Sequence, residues 1–240
     1  MGSIGESKAY SLILWLSRGA GTGKSSVAHS CAMHFDNAGH LWGAFFFNRD
    51  ISTLNNPKYL ITNLCYQLAV FDSQFKEGIL SAIPSMGHIP ASSLCTQARK
   101  LIVKTTTEAK LTRSAVLVID AVDEAGTQEM REPLLKAIAE EFSYLPDSIK
   151  VVITSRDEYD IRTSLEGCSD EICIEHTENT EQDIASYIQY HFTKTRKRCR
   201  LPQNWPPSEI LQRLYTHAGR LFVWVSVACN FVDSGRDHTR

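Results

Sequence analysis

Between Leu12 and Ser26 the chain reads LILWLSRGAGTGKSS, an apolar run that passes into a glycine-rich turn ending in Gly23-Lys24-Ser25 and then into a helical pattern. Glycines at 19, 21 and 23 let a backbone curl so that successive N–H groups face phosphate oxygens. A helix that follows turns the positive end of its dipole toward the same anion. The residues expected to cradle a phosphate chain are therefore Gly19, Ala20, Gly21, Thr22, Gly23, Lys24, Ser25 and Ser26. Lys24 would reach the β- and γ-phosphates, and the Ser25 hydroxyl would ligate magnesium. The strict pattern G-x-x-x-x-G-K-[ST] fails at its first position, which is Arg18. The competing reading is a glycine-rich turn that merely ends a strand; Gly-Lys-Ser at this offset after a β-rich run favours the phosphate loop.

Two further segments end in residues with matching chemistry. Ala115-Val116-Leu117-Val118-Ile119 runs into Asp120, with Asp123 and Glu124 just beyond. A carboxylate at such a strand end can hold the magnesium of a nucleotide, and a second acid nearby can polarise a water for in-line attack on the γ-phosphate. The alternative for Asp123 and Glu124 is capping of the following helix. Ile149 to Thr154 closes on Ser155-Arg156. A cation there can sense the γ-phosphate and relay its loss, against the alternative of an ordinary surface arginine.

These residues need a scaffold that brings separate segments to one edge. Apolar runs at Leu12 to Leu16, Leu41 to Phe47, Ala115 to Ile119, Ile149 to Thr154 and Glu171 to Ile174 read as strands, and continuous apolar runs belong to parallel sheets buried on both faces. Between them lie helical patterns: Lys24 to Phe35 with a Val27, Cys31, Phe35 stripe, Tyr59 to Phe71, Gln74 to Ile83, Ser92 or Ser93 to about Thr106, and Gln128 to Phe142. A Thr180-x-x-Asp183 signature opens a helix to about Phe192, and helices at Ser208 to His217 and Gly219 to Asp233 close the chain. Alternating strands and helices predict an α/β fold: a three-layer sandwich around a five-stranded, mostly parallel sheet, followed by a small helical subdomain. Ligands of such sheets bind at the carboxyl ends of the strands, where the loop, Asp120 and Arg156 all fall. The expected division is a nucleotide-binding domain over 10–195 and a partial helical subdomain over 196–235.

Composition narrows the partners. With 240 residues, 43% hydrophobic content and a formal charge of −2, the chain can bury an α/β core and shows no global field that would recruit nucleic acid or an anionic membrane. The seven cysteines lack C-x-x-C pairs, which points to reduced thiols in a cytoplasmic setting and away from a metal cluster. MGSIGESKAYS has no basic start and apolar core, so it does not read as a signal peptide, and the apolar stretch Leu221 to Val232 is too short to span a bilayer. The basic run Lys194 to Arg200 and the prolines after it read as a linker or exposed loop; a solvated surface is favoured over a localisation or phosphate-contacting patch.

Taken together, ILWLSRGAGTGKSS, VLVIDAVDEAG, VVITSRDE and HAGRLFVWVSVACNFV resemble the NACHT-type STAND nucleotide-binding domain, in particular the fungal group similar to the nephrocystin-3 N-terminal region. The resemblance runs from about Leu12 to Val232, with FFFNRD, NNP and YQLA fitting between the motifs. It implies an ATP- or GTP-dependent signalling switch with Mg2+, slow in hydrolysis, that self-associates or joins other STAND-type proteins when loaded. The family carries glycine and proline where this chain has Arg18 and Gly19, a second glycine where Arg220 stands, and proline where Asp157 follows Arg156. The segment that contacts the base in the family has no counterpart before Leu12, nor is an effector or repeat sensor seen.

Two readings follow. One is a triphosphate-binding switch that is, if active, a slow ATPase or GTPase; the other is a truncated or degenerate interaction module that keeps the fold without turnover. A small-molecule kinase on this fold would need an acceptor pocket and an arginine-bearing lid, for which no segment is found.

Overall fold

A computed structural model describes residues 11–109, 114–173, 178–219 and 221–234. By internal contacts the chain forms two compact units, Met1–Ser17 with Lys24–Cys173, and Arg18–Gly23 with Ile174–Arg240.

The first unit is built on a sheet of five parallel strands in the order β2-β3-β4-β1-β5. These are β1 (Ile13–Ser17), β2 (Leu41–Phe46), β3 (Ala115–Asp120), β4 (Ile149–Ser155) and β5 (Ser169–Cys173). The α/β architecture expected from the sequence is the one observed. β3 lies between β2 and β4 and buries every residue, as a continuous Val, Ile and Leu run does when both faces are covered. Ile174, expected to extend the fifth strand, lies outside the described residues.

Period-two alternation divides the sheet into two faces. Ile13, Trp15, Leu117, Ile119, Val151 and Ile153 share one apolar cluster with Leu60, Leu64 and Leu68 of α2 (Lys58–Phe71), Phe75 of α3 (Ser73–Ala82), and Leu134 and Ile138 of a later helix, Gln128–Glu141. The alternate residues, among them Leu16, Val116, Val118 and Val152, are also buried.

Helix α1 (Lys24–Asn37) packs against β3 and β4. Its buried positions are Lys24, Ala28 and Ala32, one per turn. The sequence pattern had put Val27, Cys31 and Phe35 inward; instead Val27 is 41% exposed and Cys31 and Phe35 are half-buried. Two alanines let the helix approach the sheet closely and turn Lys24 inward, so close packing by small residues prevails over the burial of larger ones.

The excursion between β2 and β3 also departs from a regular helix. Ser93 caps Leu94–Gln97 (α4) by accepting the Thr96 N–H, but Ala98–Val103 forms wide π turns before Lys104–Glu108 (α5). Helix α6 (Gln128–Glu141) is capped by Thr127, and α7 (Tyr159–Leu165) follows β4.

In the second unit α8 (Glu178–Cys199), α9 (Ser208–Ala218) and α10 (Phe222–Ser234) gather Ile184, Ile188, Phe192, Ala218, Val225 and Cys229. Helix α8 is already helical at Thr180 and runs unbroken past Phe192 and position 195. The run Lys194 to Cys199 is therefore helix, not linker. Lysine and arginine are good helix formers, and their charge at a helix C-terminus suits its dipole. Arg198 donates to Asp233 at 2.8 and 3.1 Å and Thr195 donates to the same carboxylate at 2.5 Å, which ties α8 to α10. The irregular connection is 200–207. Arg220 and residues 235–240 lie outside the described residues.

Among the described residues no helix is long and apolar enough to cross a membrane. All seven cysteines are free thiols.

Candidate functional site

The turn between β1 and α1 follows its sequence. Gly21 and Gly23 adopt φ of +78° and +89°, a region glycine enters without steric cost, and Thr22 donates its hydroxyl to the Gly19 carbonyl at 3.2 Å. Within the second unit a Cβ on Gly21 would stand 2.6 Å from Val223 Cγ1, so both conformation and space require glycine there. Gly19 and Ala20 are exposed, and Arg18 is half-buried. Ser25 and Ser26 are exposed in the first turn of α1.

In the first unit Lys24 is 9% exposed and lies within electrostatic reach of Asp123, Arg156 and Asp120. Its ammonium is held below its usual pKa chiefly by burial. Asp123 opposes that fall, Arg156 adds to it and Asp120 again opposes it. Three strand-end segments thus bring their ionisable groups together, as the doubly covered sheet required.

Asp120 is 3% exposed. Its carboxylate accepts the Thr154 hydroxyl from β4, and its carbonyl accepts the Phe47 N–H at 3.0 Å. Ala121 then takes φ 55° and ψ 49°, a left-handed conformation rare for a residue with a Cβ, and leads into a tight turn over Val122–Glu124.

Asp123 is a hub. Oδ1 accepts the Arg156 N–H at 3.0 Å, Oδ2 lies 3.1 Å from Arg156 Nε and 3.9 Å from Arg49 Nη2, and its carbonyl accepts Arg131 Nη1 at 2.8 Å. Arg131, 3% exposed, also binds Glu158 and Asp160 at 2.6 and 2.9 Å. Glu124 accepts the Arg49 N–H at 3.1 Å and faces its guanidinium at 3.7 Å. Asp123, Glu124 and Arg156 line, with Arg49, Asn55, Arg131 and Glu158, a cleft of about 690 Å³.

Sequence reasoning passed over Arg49, Arg131 and Thr154. Arg49 was open to the same rule that found Arg156, since it lies just past the end of β2, beside the strand that carries Asp120. Thr154 and Arg131 gain their meaning only from which strands and helices are neighbours.

The donors suit magnesium, a hard cation that takes oxygen ligands and keeps several waters: a buried strand-end carboxylate at Asp120 and an exposed hydroxyl at Ser25, with no sulfur or imidazole between them in the motifs.

A parallel five-stranded sheet with flanking helices, a glycine turn after β1, Lys24 at the start of α1 and an acid ending the neighbouring-but-one strand define the P-loop class of α/β fold. The structure of PCH-2 from C. elegans is similar, with a TM-score of 0.52 and 15% identity over 95% of this chain; this chain spans 57% of that one. The model of the family described as "Nephrocystin 3, N-terminal" matches residues 4–156, and the chain belongs to that family. No curated protein matches the sequence.

Proposed function

We propose that the chain binds a nucleoside triphosphate, ATP or GTP, with magnesium and acts as a signalling switch of the NACHT type with slow hydrolysis. The observation that carries this reading is Lys24: a lysine turned inward at the start of α1, surrounded by Asp120, Asp123 and Arg156. Burying an ammonium is costly unless a counter-charge is brought to it. Asp123 and Asp120 offset part of that cost, and the oxygens of a triphosphate would add charge of the same sign beside them.

In this reading the backbone of the turn holds the phosphates and Lys24 neutralises the outer pair. Asp120 and Ser25 would hold the magnesium, which supplies charge neutralisation on the phosphate oxygens. Arg156 is braced on Asp123 from both its N–H and its Nε, so Asp123 serves as the counter-ion of the sensor, and Glu124, itself held by Arg49, is the acid that would orient a water. A γ-phosphate competes with Asp123 for Arg156, and its loss returns the arginine to the acid. That exchange is the switching element, and a NACHT-type module would use it for intracellular signalling with self-association or STAND-type partners.

The test is a titration of fluorescent ATP and GTP analogues with magnesium. Wild type binds, Lys24→Ala weakens binding by at least about ten-fold through loss of a charge-assisted contact, and Lys24→Ala binding like wild type would sink the site. The lowered pKa of Lys24 sets a sign: the charged form binds phosphate, so affinity falls as pH rises through a value below 10.5. A pH profile that breaks only at or above 10.5 would contradict it.

A second reading, an interaction module without turnover, is favoured by Arg18 at the base of the turn and by the engagement of Asp123 with two arginines. Arg18→Gly separates the two readings: binding that appears only in this variant establishes the second.

A further inference from the structure

We infer that Thr154 is a positioning residue that fixes the Asp120 carboxylate and, through it, the magnesium of the bound nucleotide; this rests on the nucleotide reading above. Main-chain pairing between β3 and β4 ends at Ile119 and Ile153. Asp120 and Thr154 are one step further along, and there a side chain continues the connection. Thr154, fully buried, does so in both directions: its hydroxyl donates to Asp120 Oδ1 and accepts the Ala121 N–H at 3.0 Å.

The second bond falls at a point of backbone strain. Ala121 is left-handed at φ 55°, and its N–H turns back to Thr154 as the chain leaves the sheet. The Asp120 carbonyl is meanwhile held from the β2 side by Phe47. Main chain and carboxylate are thus gripped from opposite neighbours, leaving the acid one orientation at the strand end. A fully buried hydroxyl that donates to this acid has a specific task, because packing alone would be served by valine, the same shape without the polar atom.

Thr154→Val removes both bonds at nearly constant volume, Thr154→Ser keeps both, and Thr154→Ala removes them while relieving any crowding should the valine variant fail to fold. The readout is the magnesium concentration giving half-maximal tightening of a fluorescent triphosphate, beside affinity measured in chelator. Loss of a residue that orients a metal-holding carboxylate shifts metal affinity by about 10–100-fold. The valine or alanine variant should move the magnesium midpoint by that amount and leave the metal-free affinity within about two-fold, while serine restores the midpoint. In an Asp120→Asn background Thr154→Val should produce no further shift, since Thr154 acts only through that carboxylate.

A wild-type midpoint in Thr154→Val or Thr154→Ala, or equal shifts in valine and serine variants, overturns the inference and leaves nucleotide binding intact. A wild-type protein that binds no nucleotide, with Lys24→Ala indistinguishable from it, overturns the nucleotide reading and this inference with it.

Discussion

In the sheet-bearing unit β3 is buried along its whole length and joins a continuous cluster running through α2, α3 and α6. In the helical unit α10 buries Val225 and Cys229 on one side and leaves Val223, Val227 and Phe231, spaced one turn apart, at 53, 64 and 77% exposure. A strand inside a sheet covered on both faces confines its apolar surface, as β3 does, whereas three helices around a small cluster leave apolar area over. Stability rises with the apolar area removed from water, so the first unit should hold the larger share, and the second should open at lower cost.

The sharpest way to break that contrast is a large-to-small change in each unit. Leu117→Ala, at a fully buried position of β3, should cost about 3–5 kcal/mol by chemical denaturation, and Val227→Ala on the exposed side of α10 under about 0.5 kcal/mol. Comparable losses would mean that the outer stripe of α10 is covered in solution.

Next in size is Arg131→Ala, which unpairs Glu158 and Asp160 and releases the Asp123 carbonyl. We expect a loss of about 2–4 kcal/mol, below that of a wholly buried pair because the Glu158 side chain stays 40% exposed. A smaller loss in thermal or urea melts would show that the charged turn after β3 adds little to the strength of the sheet unit.

Thiols give an intermediate comparison. Burial pushes Cys65 of α2 up to about 12 and Cys229 of α10 to about 11, from a usual value near 9. Each thiol is neutral when folded and ionises more readily when unfolded, so its contribution is fully present below pH 9 and is lost as pH rises through the folded value. The window closes near 11 for Cys229 and near 12 for Cys65. At pH 8.5, alkylation followed by mass spectrometry should find exposed Cys173 first, then Cys229 and last Cys65. Cys65 reacting before Cys229 would invert the proposed order of opening.

The smallest effect belongs to the surface. Lys136 and Glu140 lie 3.8 Å apart and both are well exposed, so Lys136→Ala should change stability by under about 0.5 kcal/mol. A larger change in the denaturation midpoint would mean that exposed charge, and not burial, separates the units.

Much of this was legible in the residues because parallel strands covered on both sides write themselves as unbroken apolar runs: Ala115 to Ile119 and Val151 to Ile153 needed no tertiary knowledge. Placing Asp120 and Arg156 at one edge followed from the same rule. Other features were hidden for identifiable reasons. The wide turns at Ala98–Val103 defeat a reading based on 3.6 residues per turn. Basic residues from Lys194 onward looked like linker because charge was weighed above helix propensity. Asp123 read as a candidate base because its arginine partners come from β2 and β4 flanks, and the strand order that makes them neighbours is invisible in one dimension.

The inward row of Lys24, Ala28 and Ala32 carries a lesson about where this protein can be damaged. Position 32 lies eight residues along the helix, roughly 12 Å from the lysine at 1.5 Å per residue. A bulkier side chain there works like a pebble under one end of a ruler: it lifts the far half of α1 and swings the tip that bears the ammonium. Loss of function can therefore arise from a methyl-sized error remote from every charged atom, in a place that a search confined to ionisable groups would pass over.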